Sequence, residues 1–281
     1  MSSILTNNGA MVALQTLRGI NNALDTTQNE ISTGKTINTA KDNAALWTIS
    51  KVMESDVAGF KAVSDSLSLA KGAVTNARNA AETVGKLIEQ IKDKVVAAQD
   101  GNQDPATLQK DVDALIKQID SAVSASQFNG TNLVNGDLTA DGFKTLSSLD
   151  RDASGLTASF IEVDLSTTDL SSAGLTALAA INLVGADATA LQGFIDDVEA
   201  ALTTALDAAG IFGTAGKRIE IQSEFISKLS DSMTSAIGAV IDTNMEEASA
   251  RLKALQTQQQ LGVQSLSIAN NAPQTLLSLF R

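Results

Sequence analysis

Apolar side chains recur along most of this chain at alternating intervals of three and four residues. This is the spacing of a heptad seam, the line of positions that two helices of a coiled coil bury between them. The longest series runs through sixteen positions from Leu46 to Ala98, with only Asp56 charged. One helix over this series would be on the order of 85 Å long. We expect the rod to pack through Leu46, Ile49, Phe60, Val63, Leu67, Val74 and Ile91, with Trp47 as a neighbouring anchor.

A shorter series precedes the long one and predicts a first helix over residues 3–33. Gly34 follows it directly, as a helix-ending glycine would. Asp42 is then the predicted N-cap of the long helix. The seam of the first helix is Ala10, Ala13, Leu17, Ile20, Leu24, Thr27 and Ile31, with Leu14 beside it.

Turn signals separate the middle of the chain from the long helices. Asp104 and Pro105 predict the start of a third helix, antiparallel to the second. Phe128, Asn129 and Gly130 predict a β-turn after it, since Asn-Gly favours tight hairpins. FKTLSSL and LTASFIEVDL are typical of short strands, so residues 127–186 are predicted to form a β-containing, variable surface region, with Phe160 packing on the rod.

Helical spacing resumes near Asp187, and two helices are predicted to complete the chain. Gly210, Gly213 and Gly216 predict either a local break or a close helix approach. Thr243 and Asn244 resemble a capping box that starts the last helix. Its expected self-assembly positions are Leu252, Leu255, Leu266, Leu277 and Phe280, with Gln259, Gly262 and Ala269 also on the seam.

The overall expectation is a mainly α fold: long antiparallel helical rods with a small β-hairpin region and paired N- and C-terminal helices. We expect residues 1–41 and 243–281 to form a terminal coiled-coil domain, and residues 42–126 and 187–242 to form a helical rod domain. Both chain ends carry little charge, whereas the acidic excess lies between them. Two ends that both carry an unfilled seam most simply pair with each other.

Composition removes most chemical functions. The chain has no cysteine and no histidine, which excludes thiolate chemistry and the commonest general acid, base and metal ligand. The net charge of −12 argues against nucleic-acid binding. We therefore predict no catalysis, no cofactor and no metal. Met1–Ala10 has no basic leader region, and no apolar run approaches the roughly 18 residues needed to cross a bilayer, so no membrane insertion is expected.

Three motifs resemble those of bacterial flagellins. EISTGKTINTAKDNAA (30–45) resembles the flagellin block LSSG-x-x-INSAKDDAA, SQFNG (126–130) matches the TQFNG turn, and QLGVQSLSIANNAPQTLLSLFR (260–281) resembles the C-terminal signature, most closely in its alphaproteobacterial form. The resemblance implies a structural subunit that polymerises into the extracellular flagellar filament used for swimming. The terminal helices would pair and line the filament core. The short central region implies a reduced or absent outer domain.

The same resemblance implies the partners. These are other copies of the chain in a helical homopolymer, the hook-filament junction and filament cap proteins, and an export chaperone with the flagellar type III export apparatus.

Other functions compete with this interpretation. A hook-filament junction protein shares the terminal helices, but the QFNG and SLFR features favour a flagellin. A signalling helical hairpin would carry charged heptads to its end, and a membrane-binding amphipathic helix would be rich in Lys and Arg on its polar face. The last helix here is instead rich in Gln, Asn and Ser.

Recognition by the host flagellin receptor is predicted to be weak. Enterobacterial flagellins resemble the segment IEQIKDKVVAAQD but carry Arg at the position of Gln90 and Leu at the position of Lys94, with Glu near Asp111. In that family these positions contact the receptor. A receptor reporter assay should therefore show low potency for this protein, and full potency would contradict the prediction.

Overall fold

The computed structural model describes residues 7–138, 142–152 and 155–278, without the side chains of 152, 156 and 272–278. Within these residues the chain is mainly helical, which confirms the predicted fold class. The helices are α1 (Asn8–Thr33), α2 (Ala44–Gln99), α3 (Pro105–Ala125), α4 (Thr176–Ala179), α5 (Ala188–Ile241) and α6 (Met245–Ser278). The strands are β1 (Gln127–Phe128), β2 (Thr131–Asn132), β3 (Phe143–Asp152) and β4 (Gly155–Val163).

The chain divides into two compact units, and both divisions fall inside helices. Residues 1–55 and 232–281 make the terminal unit, and residues 56–231 make the central unit. Residues 42–55 and 232–242 therefore group with the chain ends, whereas the sequence had assigned them to the rod domain. The pairing of the segments that flank the terminal helices, described below, accounts for this grouping.

The core of the central unit is the seam of α2. All twelve seam positions from Phe60 to Ala98 are buried, including Val63, Leu67, Val74 and Ile91. Phe212, Ile219 and Ile226 on α5 are also buried, and α5 approaches the seam where a Cβ on Gly216 would lie 3.7 Å from Val74 Cγ1. The buried seam positions are Phe60, Val63, Leu67, Ala70, Val74, Ala77, Ala81, Val84, Ile88, Ile91, Val95 and Ala98.

Ion pairs on the surface match the register of this seam. Lys71 Nζ lies 3.4 Å from Glu220 Oε1, and Lys92 Nζ lies 2.8 Å from Glu199 Oε1. Lys92 follows Lys71 by 21 residues, and Glu199 precedes Glu220 by the same number, so both pairs belong to one antiparallel alignment. Exposed pairs of this kind add little stability, so the buried seam is the dominant contact.

The starts of α2 and α3 differ in how well the sequence predicted them. Asp104 caps α3 as expected, accepting a hydrogen bond from the Ala106 amide with Pro105 in the first turn. Asp42 does not cap α2, because the helix starts two residues later. Asn43 does so instead: its Oδ1 accepts from the Leu46 amide at 3.1 Å. Asp42 and Asn43 are both suitable N-cap residues by type, and the backbone path places Asn43 at the N-cap of α2.

Helix α5 continues without a break through the three glycines, which were predicted to mark either a local break or a close helix approach. A Cβ on Gly216 would lie 3.7 Å from Val74 Cγ1, so this glycine marks a close helix approach. Gly210 and Gly213 have no such neighbour, and their presence in a helix interior has no packing explanation in this structure.

The two hairpins form where the sequence predicted turns and strands. Asn129 and Gly130 connect β1 to β2 with φ values of 51° and 80°, the left-handed geometry that Asn-Gly tolerates. Strands β3 and β4 pair antiparallel with an irregularity between Leu146 and Ser148. Gly72 leaves space for Phe128, since a Cβ on Gly72 would lie 3.0 Å from the Phe128 ring.

Phe160 corrects a prediction. The side chain is 58% exposed, so it does not pack on the helices as expected. Its neighbours Ile161 and Val163 carry the buried positions of β4. Ile49 is likewise 52% exposed and does not pack within the described chain, although it continues the heptad spacing.

The segment after β4 is a packed part of the core, whereas the sequence placed it in a variable surface region. Gln109 of α3 holds it by donating to the Ile181 carbonyl at 3.1 Å and accepting from the Leu183 amide at 2.7 Å. Leu170 donates its amide to the Val134 carbonyl. The buried apolar residues of this segment are Leu165, Leu170, Leu175, Leu178, Ile181 and Leu183.

Truncating a seam residue should destabilise the central unit strongly. Ile88 is fully buried, so Ile88→Ala should lower the free energy of unfolding by about 2–5 kcal/mol. Ile221 on α5 is 57% exposed, and the matched control Ile221→Ala should change it by less than about 0.5 kcal/mol. Urea unfolding followed by circular dichroism measures both, and equal effects would contradict this assignment of the core.

Candidate assembly surface

Helices α1 and α6 pack along the seam that the sequence predicted for each. Leu24 and Thr27 are buried on α1, and Ala248 is buried on α6. Among the described side chains, the other predicted seam positions on the two helices are half-buried, including Leu17, Ile20, Ile31, Leu252, Leu255 and Leu266. The pair therefore buries one stripe of each helix.

Close contacts define how the two helices align. A Cβ on Gly262 would lie 3.1 Å from Leu17 Cδ1, so the glycine leaves the space that this leucine fills. Gln259 Nε2 donates to Asn21 Oδ1 at 2.7 Å. Nearer the end of the pair, Asn7 Nδ2 donates to the Ala269 carbonyl at 2.7 Å. Sequence reasoning placed Gln259 on the seam but did not identify its partner, because Asn21 lies beside the apolar series.

A short backbone bridge joins the segments that lead into these helices. The Thr36 amide donates to the Ile241 carbonyl at 2.7 Å, and the Thr243 amide donates to the Gly34 carbonyl at 2.9 Å. The hydroxyl oxygens of Thr36 and Thr243 lie 3.0 Å apart. Thr243 is thus a bridge residue, and Asn244 caps α6 by accepting from the Glu246 amide at 3.2 Å.

Asp42 holds the turn that follows this bridge. Its Oδ2 accepts from the amides of Asn38 and Thr39 at 3.2 and 2.9 Å and from the Thr39 hydroxyl at 3.0 Å. These hydrogen bonds, those from Thr39 most of all, lower the pKa of the Asp42 carboxyl below its ordinary value of 3.8. The aspartate predicted to cap a helix therefore stabilises a connecting turn.

Trp47 and Leu46 begin α2 as half-buried side chains. Nearby, Glu54 pairs with Lys51 at 2.6 Å and with Lys35 at 3.7 Å. The hydrogen bond from Lys51 lowers the pKa of the Glu54 carboxyl. The Lys35–Glu54 pair connects the first turns of α2 to the segment after α1.

The sides of α1 and α6 away from the shared seam expose large apolar side chains. Met11 and Val12 on α1 are 58% and 63% exposed, and Leu14 is 39% exposed. On α6, Leu261, Val263 and Ile268 are 58%, 54% and 68% exposed. We call these six residues the outer apolar set. Leu277 lies in α6 with its side chain outside the described residues, and Phe280 lies outside them altogether.

A groove of about 720 Å³ runs beside this set. Met11, Leu14 and Leu266 line it together with the polar residues Gln15, Arg18 and Asn270. It is open along its length and has the mixed lining of a protein contact surface rather than the enclosed shape of a small-molecule site.

The described residues contain neither a candidate metal site nor a candidate membrane span. Among them, no group of histidine, cysteine and acidic side chains could hold a metal ion. No described helix is both long and apolar enough to cross a membrane.

The family resemblance associates three positions with receptor binding. At these positions, Gln90 is exposed, and Lys94 Nζ lies 2.7 Å from Asp111 Oδ2.

Comparison with known proteins identifies the class. The model of the bacterial flagellin N-terminal helical region matches residues 4–139, and that of the bacterial flagellin C-terminal helical region matches residues 195–280. A flagellin of Brucella melitensis is 38% identical over 283 residues, covering all of both chains. Flagellin FljK of Caulobacter vibrioides is 37% identical, covering 100% of this chain and 99% of its own. The crystal structure of Bacillus cereus flagellin aligns with 63% of this chain and 95% of its own at a TM-score of 0.44 and 20% identity.

The protein is a structural protein of the extracellular bacterial flagellar filament. The chain belongs to the bacterial flagellin family and is a subunit that polymerises with copies of itself.

The Asp42 turn should make the terminal unit sensitive to acid. A lowered pKa in the folded state stabilises that state above the ordinary pKa of 3.8, and this contribution is lost as the pH falls through the lowered value. Asp42→Asn should therefore melt below the wild type at pH 7, and the difference should shrink towards pH 2–3. Thr39→Val keeps both backbone donors and should retain most of the pH dependence. Thermal melts between pH 7 and pH 2 measure this, and a difference that is constant with pH would contradict it.

Proposed function

We propose that the α1–α6 pair is the surface through which subunits polymerise, with the outer apolar set covered by neighbouring copies. The exposure of this set carries the proposal. Six large apolar side chains lie open on two helices whose seam is already filled, and exposed apolar surface that exceeds scattered single residues marks interaction sites. A second copy is the partner because the family forms homopolymers.

The polar residues of α6 are consistent with the same arrangement. Its exposed face carries the uncharged amides Gln258, Gln260, Gln264, Asn270 and Asn271. Amides can form hydrogen bonds to water or protein at a much smaller desolvation cost than charges. We assign this face to the wet lining of the filament core.

The protein acts without catalysis in this proposal. The cap and hook-filament junction proteins contact the same terminal helices at the two ends of the filament, and the export chaperone and type III apparatus handle the chain before assembly. These partners rest on membership of the family. Under this proposal, the junction protein, the cap and the next subunit would compete for the α1–α6 surface.

A charge placed in the outer apolar set should block assembly. Ile268 is 68% exposed in the single subunit, so Ile268→Asp should leave the fold intact. Burying an unpaired carboxylate between subunits costs several kcal/mol, so the critical concentration for seeded polymerisation should rise by more than about tenfold. Electron microscopy and sedimentation of filaments grown from seeds measure this change.

Gln118→Asp is the matched control. This residue is exposed on α3 in the central unit, so the variant adds the same charge outside the proposed surface. It should polymerise as the wild type does. Equal critical concentrations for Ile268→Asp and the wild type would overturn the proposal.

A further inference from the structure

The α1–α6 seam contains one layer that is built from amides rather than apolar groups. Gln259 occupies a seam position, and its Nε2 donates to Asn21 Oδ1 at 2.7 Å. Both residues are half-buried. The seam positions on either side of Gln259 are Leu255 and Gly262, so a leucine at 259 would have continued the apolar stripe. A polar layer of this kind lowers the stability of a coiled coil and needs another explanation.

Register is the property that such a layer can control. The apolar seam repeats every seven residues, so sliding α6 by one heptad, about 10 Å, still places seam residues against seam residues. In one direction the slip would place Gln259 opposite Leu14 and Asn21 opposite Leu252. In the other it would place Gln259 opposite Gln28 but Asn21 opposite Leu266. Every one-heptad slip therefore leaves at least one amide against a leucine.

We infer that the Asn21–Gln259 pair is a register key: it holds α1 and α6 in the one alignment that presents the outer apolar set correctly to the next subunit. Leaving a buried amide without its partner is unfavourable, and this disfavours each slipped alignment by roughly tenfold or more. The inference rests on the proposed function, because register matters only if the pair is an assembly surface. Asn21 and Gln259 are positioning residues and need not touch the neighbouring copy.

Three other contacts also bear on the alignment. Asn7 Nδ2 donates to the Ala269 carbonyl at 2.7 Å near the other end of the pair. Gly262 leaves space for the Leu17 side chain. After a one-heptad slip, Leu24 or Ala10 would face Gly262 instead, so this contact distinguishes the observed alignment from a slipped one less strongly. The backbone bridge between residues 34–36 and 241–243 fixes where the two helices begin. The experiment must therefore separate the amide pair from the bridge.

Engineered disulfides can report the register because the chain has no cysteine of its own. A Cβ on Gly9 would lie 3.9 Å from Ala269 Cβ, within the roughly 3.5–4.5 Å that a disulfide requires. Gly9→Cys with Ala269→Cys therefore reports the observed alignment. Thr16→Cys with Ala269→Cys reports α6 displaced by one heptad. Non-reducing gels of oxidised filaments separate intrachain from interchain bonds.

The amide pair is tested by combining each reporter with Asn21→Leu and Gln259→Leu. In the wild-type background the observed-register bond should exceed the slipped bond by at least about tenfold. In the leucine variant the ratio should fall to within about twofold, and the helix pair should melt at the same or a higher temperature. Filaments of that variant should be irregular by electron microscopy.

Two further variants serve as controls. Asn22→Leu with Gln260→Leu replaces the adjacent exposed amides and should keep the wild-type ratio. Exchanging the pair as Asn21→Gln with Gln259→Asn keeps an amide layer and should also keep the ratio. Both readings are taken in unassembled protein as well as in filaments, so a variant that fails to polymerise still reports its register.

A ratio that stays near tenfold in the leucine variant would overturn the inference, and the backbone bridge alone would then set the alignment. Loss of both disulfides would also overturn it, since a leucine layer should strengthen the pair. Neither result affects the proposed function, which depends on the polymerisation of Ile268→Asp. Conversely, if Ile268→Asp assembles normally, the proposed assembly surface is wrong, whatever the disulfide ratios are.

Discussion

The burial of one apolar stripe per helix, repeated every seven residues, is the constraint on which the rest of this subunit depends. In the central unit the stripe of α2 is buried from Phe60 to Ala98, and the antiparallel α5 supplies the facing side chains. With so few aromatic residues, stability comes from many small contacts in register rather than from a few large anchors. Turns, ion pairs and hairpins then adjust to that alignment.

The terminal unit uses the same principle with less apolar material. Its seam includes Gln259, Gly262 and several alanines, and its side chains are mostly half-buried. What the pair leaves exposed is therefore as informative as what it covers. A filament subunit needs to fold and also to keep surface for its neighbours, and the division between seam and outer apolar set on α1 and α6 provides both.

In the central unit, the segment after β4 packs as part of the core. The segment from Leu165 to Leu183 covers α3 with buried leucines, and Gln109 supplies the two hydrogen bonds that a neighbouring strand would otherwise make. Polar groups of the backbone that are buried in this way need such partners. The region is thus part of the core of the central unit, while the β3–β4 hairpin presents Phe160 to solvent.

The sequence by itself determined the five long helices, their seams, the Asn-Gly turn, the two longer strands and the family, because these depend on local spacing and on motifs within a few residues. Tertiary structure decided the remainder. Asn43 rather than Asp42 caps α2, and the leucines after β4 follow no period that marks them as buried. Ile49 keeps the heptad spacing yet lies exposed, and Asn21 gains its role only from a residue 238 positions away. Such features depend on which segments are in contact in the folded chain, and a periodic sequence pattern does not specify those contacts.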